Sequence, residues 1–226
     1  MGFTFKGITT ESMGIVLDSI QTYVKPQKKA DVIQVEGRDG AEVVEYGYAP
    51  YVLKAKITLI DLSLIDDVIA WLSGTGVLII DEDDMKYRNV RVLSAIDYEY
   101  FAHLKSATLE FYVSDPYRYE VLEVARTIST FPNSITNAGN TVAKPILTIV
   151  GSGSITVTLN GVTIGYTFPA GESVKIDCKN MEATYNGALR NQYMTGNFPS
   201  LSVGANSISV TGSVTSVSLS EYSRWL

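Results

Sequence analysis

The sequence predicts a mainly β protein in two parts, and three observations predict it. Apolar and polar residues alternate with period two along residues 52–60 and 107–113, the mark of strands with one buried face. One segment alone, between Asp61 and Gly74, switches to a helical period. Beyond Ile146, short runs of Ser, Thr and Val separated by Gly and Asn show no helical period, which points to a β-sandwich or barrel. At 226 residues the chain is long for one core, since single cores typically serve roughly 100–200 residues. Two cores are therefore expected, in residues 1–130 and 146–226. The stretch 131–145 between them has prolines at both ends and an Asn/Gly/Thr centre, and reads as a linker.

In chain order, Phe3-Thr4-Phe5 alternates and then turns at Lys6-Gly7, a short strand, and Gly14 to Leu17 is a second. Val32 to Val35 runs into Glu36-Gly37-Arg38-Asp39-Gly40, where two glycines bracket a charged pair in a tight exposed loop. Residues 52–60 put Leu53, Ala55, Ile57 and Leu59 on one strand face. Leu64, Val68, Trp71 and Leu72, with Ile65 beside them, form the stripe of an amphipathic helix of about three turns. Asp61 or Ser63 caps its start, Gly74 fits its stop, and Trp71 is expected in the core. Residues 77–80 and 89–98 are strands joined through Asp81-Glu82-Asp83-Asp84, and 107–113 is a strand ending at Asp115-Pro116.

Beyond the linker, strands are expected over 146–150, 155–159, 162–168, 174–178, 207–210 and 214–219. Their connectors are Gly151-Ser152-Gly153, Asn160-Gly161, Ala170-Gly171 and Gly212-Ser213. Asn160-Gly161 is a two-residue hairpin signal, because a type I′ turn needs positive φ at both central residues.

Hydrophobic residues at 46% and charged ones at 19% describe a folding globular chain. The longest apolar run, Val77 to Ile80, falls far short of the roughly 20 residues a membrane span needs. No signal-peptide pattern opens the chain, and Lys6 stands where a myristoylation signal needs Ser or Thr. Synthesis in the cytoplasm without membrane insertion is expected. A single cysteine, Cys178, cannot make an internal disulfide and reads as a buried free thiol. Lys and Arg number 18 against 24 Asp and Glu, and residues from Ile146 onward hold four of each sign. The acidity therefore sits in the first part, and no basic cluster suits specific nucleic-acid binding.

No chemistry-bearing pattern emerges. Counted from Asp81, the sixth and twelfth positions of a calcium loop hold Lys86 and Val92 instead of Gly and Glu. The one histidine, His103, lacks a diagnostically spaced acid, and the flanks of Cys178 match no cysteine hydrolase. Phosphate loops, nucleophile elbows and zinc spacings are absent from the sequence. The expectation is a non-enzyme with no catalytic residue, cofactor or metal. A glycan-binding module is the alternative, with Trp225, Tyr166, Tyr185 and Tyr193 as the aromatics at hand.

Taken in order along the chain, these segments resemble the distal tail proteins (Dit) of long-tailed, non-contractile bacteriophages, the siphovirus tail-component family. The segments are Phe5-Lys6-Gly7-Ile8 with Met13-Gly14-Ile15, then Val35-Glu36-Gly37-Arg38-Asp39-Gly40, then Ala70-Trp71-Leu72, then Phe111-Tyr112-Val113-Ser114-Asp115-Pro116-Tyr117. Asn137-Ala138-Gly139-Asn140-Thr141 with Pro145, the run from Gly196 to Ile208, and Arg224-Trp225-Leu226 continue the match. Glu36 and Val203 stand where the family often has Pro.

The resemblance implies a ring-forming N-terminal domain related to tail-tube proteins, barrel-like with one helix, and a galectin-like C-terminal β-sandwich. It implies a hexameric ring at the distal end of the virion tail, made in the host bacterial cytoplasm. The ring's partners would be the tail-tube protein, the tail-associated protein below it and a receptor-binding protein, with an open channel for DNA. For the contact between subunits the candidates are Phe3, Phe5, Arg38 and Asp39. Ordinary core is an equal explanation of the two phenylalanines, and a solvated turn of the charged pair.

Overall fold

The computed structural model describes residues 1–93, 103–169 and 171–226. The chain divides into two compact units, Met1–Val121 with Leu226, and Leu122–Trp225.

The first unit contains β1 (Phe3–Phe5), β2 (Ile8–Thr9), β3 (Ile15–Ile20), β4 (Lys28–Ile33), β5 (Glu42–Tyr48) and β6 (Tyr51–Leu59). It continues with α1 (Ile65–Trp71), β7 (Gly74–Ile80), β8 (Lys86–Val92), β9 (Ser106–Val113) and β10 (Arg118–Glu120). The main sheet is antiparallel and runs β2-β1-β7-β8-β9-β6-β3, with β10 beside β8. β1 and β3 are far apart in that order, yet Phe3 and Phe5 of β1 share one core with Ile15 and Leu17 of β3. The sheet is therefore wrapped, barrel-like, around its apolar face. The alternation read in β6 holds fully: Leu53, Ala55, Ile57 and Leu59 are all completely buried.

The helix is a 3₁₀ turn, Leu62–Leu64, running into α1. Asp61 caps it, its carboxylate accepting from the Ser63 N–H at 2.9 Å. These bonds also hold the Asp61 carboxyl below its ordinary pKa, the Ser63 hydroxyl first and its N–H second. Ile65, Val68 and Trp71 face the core, and the Trp71 indole N–H donates to the Phe5 carbonyl at 2.9 Å.

The acidic run at 81–84 is a 3₁₀ turn, Asp81–Asp83, and not an open loop of oxygen ligands. Asp83 is buried and its carboxylate meets Arg118 at 2.8 Å and Lys86 at 3.3 Å, with the fully buried Arg88 at 3.7 Å. Arg88 donates to the Thr22 carbonyl at 2.5 Å. The strand expected over 89–98 is observed from Lys86 to Val92, and positions 94–98 lie outside the described residues.

The second unit contains β11 (Arg126–Ile128), β12 (Asn133–Asn137), β13 (Ile146–Leu159), β14 (Val162–Thr167) and β15 (Ser173–Asp177). It ends with β16 (Glu182–Tyr185), β17 (Ala188–Leu189), β18 (Met194–Gly196), β19 (Gly204–Ser220) and β20 (Arg224–Trp225). The first half of β13 pairs with β15, and the second half pairs with β14, which in turn carries β18. β19 lies along both halves of β13, with β12 and β11 at its two ends. Leu147 and Ile149 from one half of β13 and Val157 and Leu159 from the other enclose one core. That is a β-sandwich folded from two long bent strands.

Two expectations change here. The stretch 131–145 is not a linker, because β12 falls inside it and the chain divides between Val121 and Leu122. Its polar centre is ordered around the buried Asn137: the Asn137 amide donates to the Thr141 carbonyl at 2.9 Å and the Leu201 carbonyl at 3.3 Å, and its oxygen accepts from the Gly139 N–H at 3.0 Å. Likewise, 151–153 and 212–213 are not turns between separate strands. They are register shifts and bends within β13 and β19. Gly212 holds φ of 98°, and a Cβ there would sit 2.7 Å from the Ser154 carbonyl oxygen, so only glycine lets the two backbones pass. The Asn160-Gly161 hairpin forms as read, with φ of 49° and 80° and Leu159 opposite Val162. In the Ala170-Gly171 connector, Ala170 lies outside the described residues.

Candidate assembly interface

Among the described residues, β4 and β5 pair only with each other, from Lys28 opposite Tyr48 to Ile33 opposite Glu42, and form a two-stranded arm. Every residue of β4 is exposed. Val32 and Val43 are cross-strand partners and are 62% and 57% exposed, while Ile33, Val35 and Tyr46 are also exposed. Polar anchors hold the base. Lys28 bonds Glu45, which raises the lysine pKa above its ordinary value, and the Ala49 N–H donates to the Gln27 carbonyl at 2.7 Å. The Tyr48 ring meets Tyr117 edge-on with centroids 6.2 Å apart. An isolated hairpin is marginal in water, and an apolar, unpaired strand edge invites pairing with another chain.

The four residues put forward for a subunit contact separate here. Arg38 and Asp39 are exposed at the tip of the arm, in the turn between β4 and β5, where the Arg38 N–H donates to the Val35 carbonyl at 3.1 Å. Phe3 and Phe5 are 1% and 0% exposed and surround Trp71 and Phe111. They are core, and they present no face to a neighbour. The strand β5 itself escaped the sequence reading. Glu42-Val43-Val44-Glu45-Tyr46-Gly47-Tyr48 does not alternate, because neither face of the arm is buried within the chain.

The two groups weighed for nucleophilic chemistry also separate. His103 is exposed in the first unit, and Cys178 is buried in the second. Burial, followed by the nearby Asp177 carboxylate, pushes the Cys178 thiol up to about 12, whereas a working cysteine nucleophile needs the opposite shift. The folded protein should therefore resist alkylation by iodoacetamide at pH 8 and react only after denaturation. Stoichiometric labelling of the native protein at the rate of a free thiol would contradict this.

Comparison with known proteins bears on both units. Residues 138–225 match the model of the family described as Siphovirus-type tail component, C-terminal domain. The matched residues lie within the second unit, and the likeness in fold extends over the whole chain. The crystal structure of SPP1 Dit (gp 19.1), described as a paradigm of the hub adsorption apparatus in Gram-positive infecting phages, superposes with a TM-score of 0.77. It covers 100% of this chain and 99% of that one at 13% identity. The phage P2 baseplate in its activated conformation is similar at 9% identity, with TM-scores of 0.52 for the calcium form and 0.51 for the strontium form. Each covers 91% of this chain and 89% of that chain. No curated protein sequence matches. Both units thus share, in order, the fold of SPP1 Dit.

Proposed function

We propose that this protein is a distal tail protein that forms a hexameric ring at the end of a phage tail. The ring joins the tail tube above to the tail-associated protein below, supports receptor-binding proteins at its side, and leaves a channel for DNA. The observation that carries the reading is the end-to-end likeness of both units to SPP1 Dit. The arm of β4 and β5 supports it, since an apolar hairpin without a partner in its own chain suits a neighbouring copy, and cyclic symmetry closes such head-to-tail contacts into a ring. Arg38 and Asp39 would lie in that contact. The acidic excess of the first part suits a channel through which DNA slides without sticking. The role is structural and virion-borne, without catalysis, after synthesis in the host cytoplasm.

Light scattering on a sizing column over a range of concentrations, followed by negative-stain imaging, tests this. Six-fold rings with a central hole are expected, either from the protein alone or after adding its tail-tube and tail-associated partners, because single tail contacts can be weak. A monomer under both conditions would overturn the reading.

A further inference from the structure

The second unit holds a cluster of polar and aromatic side chains. The Arg190 guanidinium grips Glu172 with two parallel bonds, Nε to Oε2 and Nη2 to Oε1, both at 2.8 Å. The pair is only partly buried, with side chains 23% and 17% exposed. Two tyrosines flank it. Arg190 lies over the Tyr185 ring, 5.9 Å from its centroid, and Tyr193, 38% exposed, meets the buried Tyr166 edge-on at 6.5 Å. The Tyr166 hydroxyl is buried without a hydrogen-bond partner among the described residues. Its pKa is raised, first by burial and then by the charge of nearby Glu172.

We propose that this face of the second unit, built by Glu172, Arg190, Tyr185 and Tyr193, is a glycan subsite that takes a pyranose through two vicinal hydroxyls. Each carboxylate oxygen of Glu172 keeps a lone pair beyond its bond to Arg190, and Nη2 keeps a second N–H. A pair of neighbouring hydroxyls can donate to the carboxylate and accept from the guanidinium without breaking the fork. The fork is also preorganised: Arg190 holds the Glu172 carboxyl below its ordinary pKa, so the acceptor is charged through the physiological range. The exposed Tyr193 ring supplies an apolar platform for the C–H face of the sugar. Tyrosine and arginine also favour protein contacts. However, an ion pair already closed within the chain offers no net charge to a charged partner, whereas a neutral polyol adds to both members at once.

The test is saturation-transfer NMR on the full-length protein with methyl α-mannopyranoside, methyl β-galactopyranoside and methyl β-glucopyranoside, together with a glycan array. At least one glycoside should bind with a dissociation constant on the order of millimolar. Tyr193→Ala and Glu172→Gln should each weaken binding about tenfold or more, while Tyr193→Phe keeps it. Circular dichroism checks folding, and Tyr193→Ala carries the result if Glu172→Gln is unfolded. Absence of transfer and of array signal overturns the proposal. So does undiminished binding in Tyr193→Ala, and so does capture of a tail protein at this patch by a chain that binds no glycan.

Discussion

Trp71→Ala should destabilise the first unit by about 3–5 kcal/mol, the range for removing a large buried aromatic side chain. Trp71 closes the wrapped sheet: its ring stacks on Phe3 at 5.9 Å and 14°, lies tilted against Phe5 at 6.2 Å, and ties the Phe5 carbonyl by its indole N–H. Alanine leaves a cavity among Phe3, Phe5 and Phe111 and strips the tie from a buried carbonyl. Against a usual domain stability of about 5–15 kcal/mol, that is a large fraction. Trp71→Phe, which keeps most of the volume and loses only the donor, should cost roughly 1–2 kcal/mol beyond any repacking. Differential scanning calorimetry separates the units, since each has its own core. The transition of the first unit should fall in Trp71→Ala and that of the second should hold. An unshifted first transition would remove Trp71 from its central place.

A double substitution on the arm, Val32→Lys with Val43→Lys, should abolish assembly and leave both units folded. The two valines are cross-strand partners on one face of the hairpin and more than half exposed. In the isolated chain, charges there face water, and the expected change in stability is within about ±0.5 kcal/mol. In a ring built through the arm, the same charges must be buried without partners, which costs several kcal/mol per contact. Light scattering should show the variant as a monomer where the parent protein assembles, with melting transitions unchanged. Rings that persist would place the subunit contact elsewhere. The same comparison with Arg38→Ala and Asp39→Ala at the arm tip should show a smaller loss, because exposed rim charges contribute little to affinity.

How well each part of the fold can be read locally tracks which side of a strand is buried in its own chain. β6, β9 and α1 show their period plainly because one face meets a core and the other meets water. β5 shows none, since neither of its faces is buried in its own chain. The stretch 131–145 misleads for a related reason. Asn and Thr usually mark water-exposed loops, but Asn137 and Asn206 sit buried with their amides bonded to backbone carbonyls. Long β13 and β19 read as pairs of short strands because glycine marks a bend within a strand as readily as a turn between strands. For the glycan face, the tyrosines were visible as candidates, but the partner that organises them was not: Glu172 and Arg190 are 18 residues apart and meet only across the fold.

The amino-acid sequence by itself determined the β class, the amphipathic helix with a cap at Asp61 or Ser63, the Asn160-Gly161 hairpin and the burial of Trp71. These depend on period and on local backbone conformation, which neighbouring residues impose on one another. Only the tertiary structure decided that Phe3 and Phe5 belong to the core, that Asp83 lies among Arg88, Arg118 and Lys86, and that β4 and β5 stand free as an arm. Each of these is a matter of which distant surfaces a residue meets, and burial is a property of the folded whole, carried by no segment alone.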